Sequence, residues 1–133
     1  MKTIHVAEMI AQGGRDGQVE SPEGGFAVQL STDEQPGSVT PEHLFAGAYA
    51  ACFLGAVENA ARKSHLTVNG LTVVARVHLD EDERGGYNLN VDLRATMPGF
   101  EETKAQHLLN LAHQSCPYSK ATRGNINVTL GTD

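Results

Sequence analysis

Several residue types are scarce in this sequence, and each scarcity excludes a class of protein. Tryptophan is absent, aromatic residues make up 5% of the chain, and only two cysteines occur among 133 residues. Two cysteines cannot build the dense disulfide framework of a small secreted domain. Lysine and arginine total 10 against 16 acidic residues, which gives a net charge of −6 at pH 7. Because an acidic surface repels phosphate groups, we expect no nucleic-acid partner and no attraction to anionic membranes.

Export signals and membrane-length apolar runs are also lacking. The N-terminal stretch "MKTIHVAEMIAQGG" contains no uninterrupted apolar segment of the secretory type. The longest apolar run, residues 44–57, is shorter than the roughly 20 residues that a membrane-spanning helix needs. We therefore expect a cytoplasmic protein with no membrane partner. In that compartment a cysteine pair is more often catalytic or metal-binding than a structural disulfide.

The chain has the length of one domain, residues 1–133, and its apolar pattern predicts an α+β fold. The first two predicted strands flank the turn-forming stretch "GGRDG" and form an antiparallel meander, and the next two form a hairpin closed by the acidic turn "DEDERGG". Alternating apolar residues predict the strands near residues 3–11, 26–30, 71–79, 87–95 and 126–130.

Two helices are predicted between these strands. The first begins with Thr40 as the N-cap and Pro41 as the first helical residue, and runs to about Lys63. It is apolar on nearly every side over residues 44–57, so one small domain can hardly bury it, and we expect a homodimer that covers it. The second helix is predicted over residues 100–115, with Pro117 preventing its continuation.

The two cysteines occupy different settings. Cys52 lies in the alanine-rich run "GAYAACFLGAV", where a small buried core residue is the ordinary interpretation. Cys116 lies at a predicted helix end in a polar loop, where core packing is less expected. A reactive thiol needs a lowered pKa. Cys52 is twelve residues beyond Thr40, too far for its own helix dipole to act.

A reactive Cys52 would therefore need a cation from another part of the fold. Arg15 in the glycine-flanked turn and Arg123 near Cys116 are the candidates, although composition alone favours a solvated surface position for both. A zinc site built from His113, Cys116 and Cys52 is an alternative, but paired ligand spacing is missing. A hydrolase with His113 as the base is a further alternative without local support.

The strings "GGRDG", "TPEHLFAGAYAACF" and "HQSCPYSKATRGNINV" resemble the organic hydroperoxide resistance (Ohr) branch of the OsmC/Ohr family, in order and over nearly the whole chain. The resemblance implies antiparallel sheets wrapped around a long central helix in an intertwined homodimer. It also implies a peroxidase that reduces alkyl and fatty-acid hydroperoxides and binds no cofactor. The expected reductant is the dithiol of a lipoylated protein. Ala51 and Lys120 depart from residues common in that family.

The resemblance also assigns roles to four residues. It makes Cys52 the peroxidatic cysteine, Cys116 the resolving cysteine, Arg15 the essential cation and Glu42 the acidic partner that holds Arg15 through a two-bond fork. Ten residues of continuous helix separate Glu42 from Cys52 by about 15 Å. We therefore expect the Glu42 that meets an Arg15–Cys52 pair to come from the second subunit.

Two further functions stay open on the sequence. A redox-sensing or lipid-binding module would use the same thiols and apolar surroundings without efficient turnover. A zinc-stabilised domain would use the thiols as ligands. Peroxide consumption with a lipoyl reductant distinguishes an enzyme from a binding module, and metal analysis tests the zinc domain.

Overall fold

The structure is a computed structural model, and it describes residues 1–33 and 35–133. Glu34, in the predicted loop 31–39, lies outside the described residues. The chain divides into two compact units, Met1–Leu44 and Phe45–Asp133, and each is described by itself. That the whole chain forms one domain stays a prediction.

The first unit contains an antiparallel meander, as predicted, but it begins later and includes one strand, at residues 18–20, that apolar alternation does not predict. Its strands are β1 (Ile10–Gln12), β2 (Gln18–Glu20) and β3 (Ala27–Gln29), in that spatial order. The strand expected over residues 3–11 forms only at its end, because residues 3–9 belong to no strand and β1 begins where Ile10 pairs with Glu20. Apolar alternation indicates a face to be buried, whereas a strand also needs a partner for its backbone hydrogen bonds.

The stretch "GGRDG" forms a tight turn, as predicted, in which Gly14–Asp16 make one 3₁₀ turn between β1 and β2. Gly17 closes it, and a Cβ there would collide with the carbonyl oxygen of Gln12. Asp16 fastens the turn because its Oδ1 accepts from the backbone N–H of Thr32 at 2.8 Å and from the Thr32 hydroxyl at 2.9 Å. These bonds fix the backbone beside Arg15.

Helix α1 spans Pro41–Lys63, with the bounds that the sequence predicts. Its start is fastened reciprocally: the backbone N–H of His43 donates to Thr40 Oγ1 at 3.3 Å, and the backbone N–H of Thr40 donates to His43 Nδ1 at 3.0 Å. This is the geometry of a capping box with a histidine in the place of the usual glutamate.

The second unit contains a mixed sheet. The predicted hairpin is confirmed as β4 (Thr72–Glu81) and β5 (Tyr87–Thr96), which are antiparallel over ten residue pairs. The last strand, β6 (Val128–Thr132), pairs in parallel with the other edge of β5. One face of this sheet contributes buried residues such as Val91, Leu93 and Ala95 to the core.

Two further helices complete the second unit. Helix α2 covers Glu102–Ser115, two residues later than the predicted start, and α3 covers Pro117–Thr122. The sequence predicts a loop where α3 lies, because Pro117 cannot continue the preceding helix. Proline is also favoured as the first residue of a helix, and Pro117 has that position in α3. The largest buried core side chains of the unit are Tyr49, Phe53, Val57, Leu93, Leu108 and Leu109.

Helix α1 is long and apolar enough to cross a membrane when length and composition are the only criteria, and it is the one such helix among the described residues. The apolar run is predicted to be too short to span a membrane. This prediction is wrong for the helix as a whole, because α1 extends beyond residues 44–57 at both ends. The core helix of a soluble protein meets the same criteria.

Candidate active site

The two cysteines are in contact, although 64 positions separate them in sequence. Cys116 Sγ lies 3.6 Å from Cys52 Sγ and is oriented to donate to it. Both thiols are free, and a disulfide requires a separation of about 2.05 Å, so the sulfurs must approach by roughly 1.5 Å to bond. The two residues named from the sequence thus form one dithiol in the second unit.

Cys116 is fully buried, which corrects the expectation of a polar loop setting. Its position follows from a change of direction at one residue. The Cys116 N–H closes α2 by donating to the Ala112 carbonyl at 2.8 Å, and its extended backbone then becomes the N-cap of α3. Pro117 is the first residue of α3, where its missing N–H has no cost. One residue between two helices therefore directs the thiol inward.

The surroundings of Cys52 disfavour its thiolate. Burial raises the pKa of the Cys52 thiol, and the adjacent Cys116 raises it further, while the backbone N–H of Tyr118 acts in the opposite direction. Among the groups that the described residues bring to bear on this pKa, none is a cation. A cation must therefore be supplied before this thiol can be ionised at neutral pH.

Arg15 and Glu42 form an ion pair within the first unit. Arg15 Nη2 donates to Glu42 Oε2 at 2.5 Å, and this bond holds the pKa of the Glu42 carboxyl below its usual range. The described residues show this one contact and not the expected two-bond fork. Asp16 steadies the turn that presents Arg15, and the Thr40 cap places Glu42 in the first turn of α1.

The pairing corrects the expectation that Glu42 reaches Arg15 from a second subunit. Arg15 is paired with Glu42 of its own chain. That expectation assumed that Arg15 belongs with the Cys52 of its own chain. Glu42 and Cys52 are both on α1, ten residues apart, or about 15 Å along the axis. Arg15 therefore meets Glu42 without a second subunit.

A group of buried hydroxyls beside the dithiol did not emerge from the sequence. Tyr49 Oη is 2.8 Å from Ser119 Oγ and 3.2 Å from Thr122 Oγ1. Ser119 Oγ is also 2.8 Å from His113 Nδ1. We call these four residues the hydroxyl chain. Ser119 and Thr122 belong to the "CPYSKAT" string. The hydroxyl residues of this short string were the one sequence feature that could have pointed to the hydroxyl chain.

Aromatic rings line a small apolar pocket of the second unit, with a volume of about 210 Å³. Its lining residues are Phe45, Tyr118, Ala121 and Thr122. The Tyr49 ring packs between those of Phe45 and Tyr118, with centroid separations of 6.1 and 5.9 Å. The pocket is suited to a short apolar group.

The ligands considered for zinc are engaged otherwise. His113 Nδ1 contacts Ser119, and Cys116 contacts Cys52. Over residues 1–33 and 35–133, no three His, Cys, Asp or Glu side chains converge as a metal site requires. The structure likewise pairs His113 with a serine and not with a thiol, so a cysteine–histidine nucleophile receives no geometric support.

Comparison with known proteins identifies the family. The family model described as OsmC-like protein matches residues 32–131. An organic hydroperoxide resistance protein of Xanthomonas axonopodis pv. citri is 39% identical, over 97% of this chain and 94% of the relative. The chain belongs to the OsmC/Ohr family. The crystal structure of OhrB of Bacillus subtilis, at 37% identity, superposes with a TM-score of 0.90 and covers 98% of this chain and 100% of its own.

A second structure agrees with this assignment. An organic hydroperoxide resistance protein OsmC from Legionella pneumophila has a TM-score of 0.91 and 34% identity, with 99% of both chains covered. The family resemblance and the α+β fold are thereby confirmed. The roles of Cys52, Cys116, Arg15 and Glu42, the reductant and the homodimer stay predictions.

Proposed function

We propose that this protein is a thiol peroxidase that reduces alkyl and fatty-acid hydroperoxides in the cytoplasm. The observation that carries the proposal is the 3.6 Å separation of the Cys52 and Cys116 sulfurs. It occurs in a chain whose relatives are named organic hydroperoxide resistance proteins, at 37–39% identity for several of them. A dithiol at this distance can complete a two-cysteine redox cycle, which a lone core cysteine cannot.

The cycle has three balanced steps. The Cys52 thiolate attacks the terminal peroxide oxygen, the O–O bond breaks, and the alkoxide takes a proton and leaves as the alcohol. Cys52 is then a sulfenic acid, and attack by the Cys116 sulfur forms the disulfide and releases water. An external lipoyl dithiol reduces that disulfide through a mixed disulfide and becomes oxidised itself. No bound cofactor takes part.

The first step needs a cation at Cys52, and Arg15 is the residue that we assign. Arg15 is paired with Glu42 of its own chain, while Cys52 lies about 15 Å further along α1. We therefore place the Arg15–Glu42 pair of one subunit at the Cys52 of the other. A guanidinium has five N–H donors, so its contact with Glu42 leaves others to face the thiolate.

The surface of α1 supports this homodimer. Gly47, Ala51 and Gly55 recur every four residues on an exposed stripe of the helix. Apart from the neighbouring backbone of α1 itself, a Cβ added at Gly47 or Gly55 has no heavy atom of the described residues within 4 Å. Small residues in such a stripe allow a second helix to approach closely. Gly55→Leu should be tolerated by the monomer fold and should weaken the dimer.

Sedimentation velocity of wild type and Gly55→Leu at equal concentrations tests the dimer. The expected result is a dimer for the wild type and a larger monomer fraction for the variant, with native circular dichroism in both. A monomeric wild-type protein would contradict the assembly.

The apolar pocket beside Tyr118 gives the proposal its substrate class. A pocket of about 210 Å³ with an apolar lining accommodates an alkyl group and gives hydrogen peroxide few contacts beyond the reacting atoms. We therefore expect higher kcat/KM for cumene or fatty-acid hydroperoxide than for hydrogen peroxide.

Steady-state peroxide consumption tests the function directly. Each hydroperoxide is supplied with dihydrolipoamide or with thioredoxin as the reductant, for wild type and for Cys52→Ser. We expect turnover of organic hydroperoxide with dihydrolipoamide, little with thioredoxin, and none in the variant, because serine does not form the nucleophilic anion at neutral pH. Full activity of Cys52→Ser would rule out the assignment of the nucleophile.

A redox-sensing or lipid-binding module is the second candidate, and one observation favours it. Burial and Cys116 raise the pKa of Cys52, so a chain without an added cation holds a weakly nucleophilic thiol. Such a module would form the Cys52–Cys116 disulfide slowly and show no sustained turnover with any dithiol. The same assay separates it from the peroxidase.

A further inference from the structure

The hydroxyl chain joins all three helices of the second unit. Tyr49 belongs to α1, His113 to α2, and Ser119 and Thr122 to α3. Tyr49 and Ser119 have no exposed surface, and Thr122 is buried as well. Water is therefore excluded from the bonds among these three hydroxyls, whereas the His113–Ser119 bond is partly buried.

The number of hydroxyl protons determines which residue donates and which accepts in each bond of the hydroxyl chain. The Thr122 hydroxyl donates to the Ser119 carbonyl at 3.2 Å, so its oxygen is left to accept from Tyr49. Tyr49 has one proton, so its oxygen must then accept from the Ser119 hydroxyl. Ser119 has also spent its proton and can only accept from His113. All four contacts are satisfied together when His113 carries its proton on Nδ1.

The protonation state of His113 is consistent with this direction. Burial and, next, the positive charge of Arg123 lower the pKa of His113, so its ring is neutral near pH 7 and has one N–H to place. Arg123 Nη2 also donates to the His113 carbonyl, which fastens the end of α3 to the last turn of α2. The Ser119 and Arg123 contacts therefore both hold α3 against His113.

Ser119 is the third residue of α3 and Cys116 is its N-cap, so the position of one sets the position of the other within a single helical turn. We propose that His113 is a positioning residue that, by donating from Nδ1 to Ser119, holds α3 so that the Cys116 thiol faces Cys52. Its catalytic consequence, faster closure of the disulfide after peroxide attack, rests on the proposed function. The positioning of α3 by His113 does not depend on the proposed function.

Three variants isolate the Nδ1–H donor. His113→Leu removes it. His113→Asn restores a donor, because an asparagine amide NH₂ can occupy the place of Nδ1. His107→Leu is the matched control, since His107 is an exposed histidine of the same helix. Ser119→Ala breaks the chain without altering His113 and provides a second disruptive variant. Near-ultraviolet circular dichroism establishes that each variant is folded before it is measured.

The first readout needs no peroxide. Each protein is equilibrated with mixtures of reduced and oxidised glutathione, and the fraction in the Cys52–Cys116 disulfide is determined by alkylation and mass spectrometry. His113→Leu and Ser119→Ala should lower the equilibrium constant for the disulfide about tenfold, which raises the reduction potential by about 30 mV. His113→Asn should recover most of this loss, and His107→Leu should match the wild type.

The second readout separates the steps of the cycle. In a single turnover with cumene hydroperoxide, His113→Leu should form the sulfenic acid at the wild-type rate and the disulfide about tenfold more slowly. A disulfide equilibrium and closure rate equal to wild type in both His113→Leu and Ser119→Ala would overturn the proposal. So would failure of His113→Asn to improve on His113→Leu. Absence of any peroxide reaction in the wild type would contradict the proposed function and leave the glutathione result to judge the positioning.

Discussion

Removing the phenolic oxygen of Tyr49 has an effect that can be worked out from the structure. Tyr49 is fully buried, and its hydroxyl lies 2.8 Å from Ser119 Oγ and 3.2 Å from Thr122 Oγ1. Tyr49→Phe retains the ring and its packing against Phe45 and Tyr118. The substitution therefore tests the hydrogen bonds separately from the core contacts.

The magnitude follows from what the neighbours retain. A neutral hydrogen bond contributes about 0.5–1.5 kcal/mol net, whereas a buried polar group left without a partner costs about 1–3 kcal/mol. Ser119 still accepts from His113, and Thr122 still donates to the Ser119 carbonyl, so each hydroxyl keeps one hydrogen bond. We expect a loss of about 1–1.5 kcal/mol. An unfolding entropy of about 0.28 kcal/mol/K at this chain length converts that loss into a Tm lower by about 4–5 °C.

Differential scanning calorimetry at one protein concentration provides the measurement. Tyr87→Phe is the control because Tyr87 is 70% exposed at the start of β5, and its Tm should change by less than about 2 °C. A Tm for Tyr49→Phe equal to the wild-type value would show that the hydroxyl contributes no net stability. An equal fall for Tyr87→Phe would show that the loss does not depend on burial.

Three other predictions concern the thiols, the end of α1 and the ion pair. Cys116→Ser should permit one turnover and then accumulate over-oxidised Cys52, which mass spectrometry after peroxide treatment detects, and a normal steady-state rate would refute the resolving role. His65 follows α1 with φ of 59°, a left-handed conformation that glycine adopts without strain, so His65→Gly should raise the unfolding free energy by roughly 0.5–1 kcal/mol in urea titrations, and an unchanged midpoint would contradict this. The pKa of Glu42 lies below its ordinary value of 4.5 because Arg15 hydrogen-bonds to it. The pair therefore stabilises the fold above about pH 4.5, and its contribution is lost as the pH falls through the lowered pKa. Glu42→Gln should flatten the acid side of the Tm–pH profile, and an unaltered profile would count against the pair.

The sequence predicts the elements whose signals are local. Thr40 and Pro41 mark the start of α1 within a four-residue stretch, and the helix begins there in the structure. The β4–β5 hairpin follows from apolar alternation on both sides of a turn rich in acidic residues and glycine, and the structure forms it. Capping and alternation act over a few positions, so they can be recognised without knowledge of the tertiary fold.

Features that depend on distant partners could not be predicted in the same way. Ile4 and Val6 alternate like strand residues, yet they are 90% and 78% exposed because alternation does not say whether a neighbouring strand exists. The sequence predicts a polar loop around Cys116, whereas the residue is completely buried in the structure. The pairing of His113 with Ser119 depends on how α2 and α3 pack, and no local pattern encodes it.

The central claim is that Arg15 supplies the positive charge that keeps Cys52 ionised, and the pH dependence of Cys52 alkylation tests it most directly. Cys116→Ser leaves one thiol, and the alkylation rate is followed with and without the additional change Arg15→Met. We predict a Cys52 pKa below the ordinary thiol value of about 8.5 with Arg15 present, and above that value in Arg15→Met. A pKa at or above 8.5 that does not respond to loss of Arg15 would contradict the account.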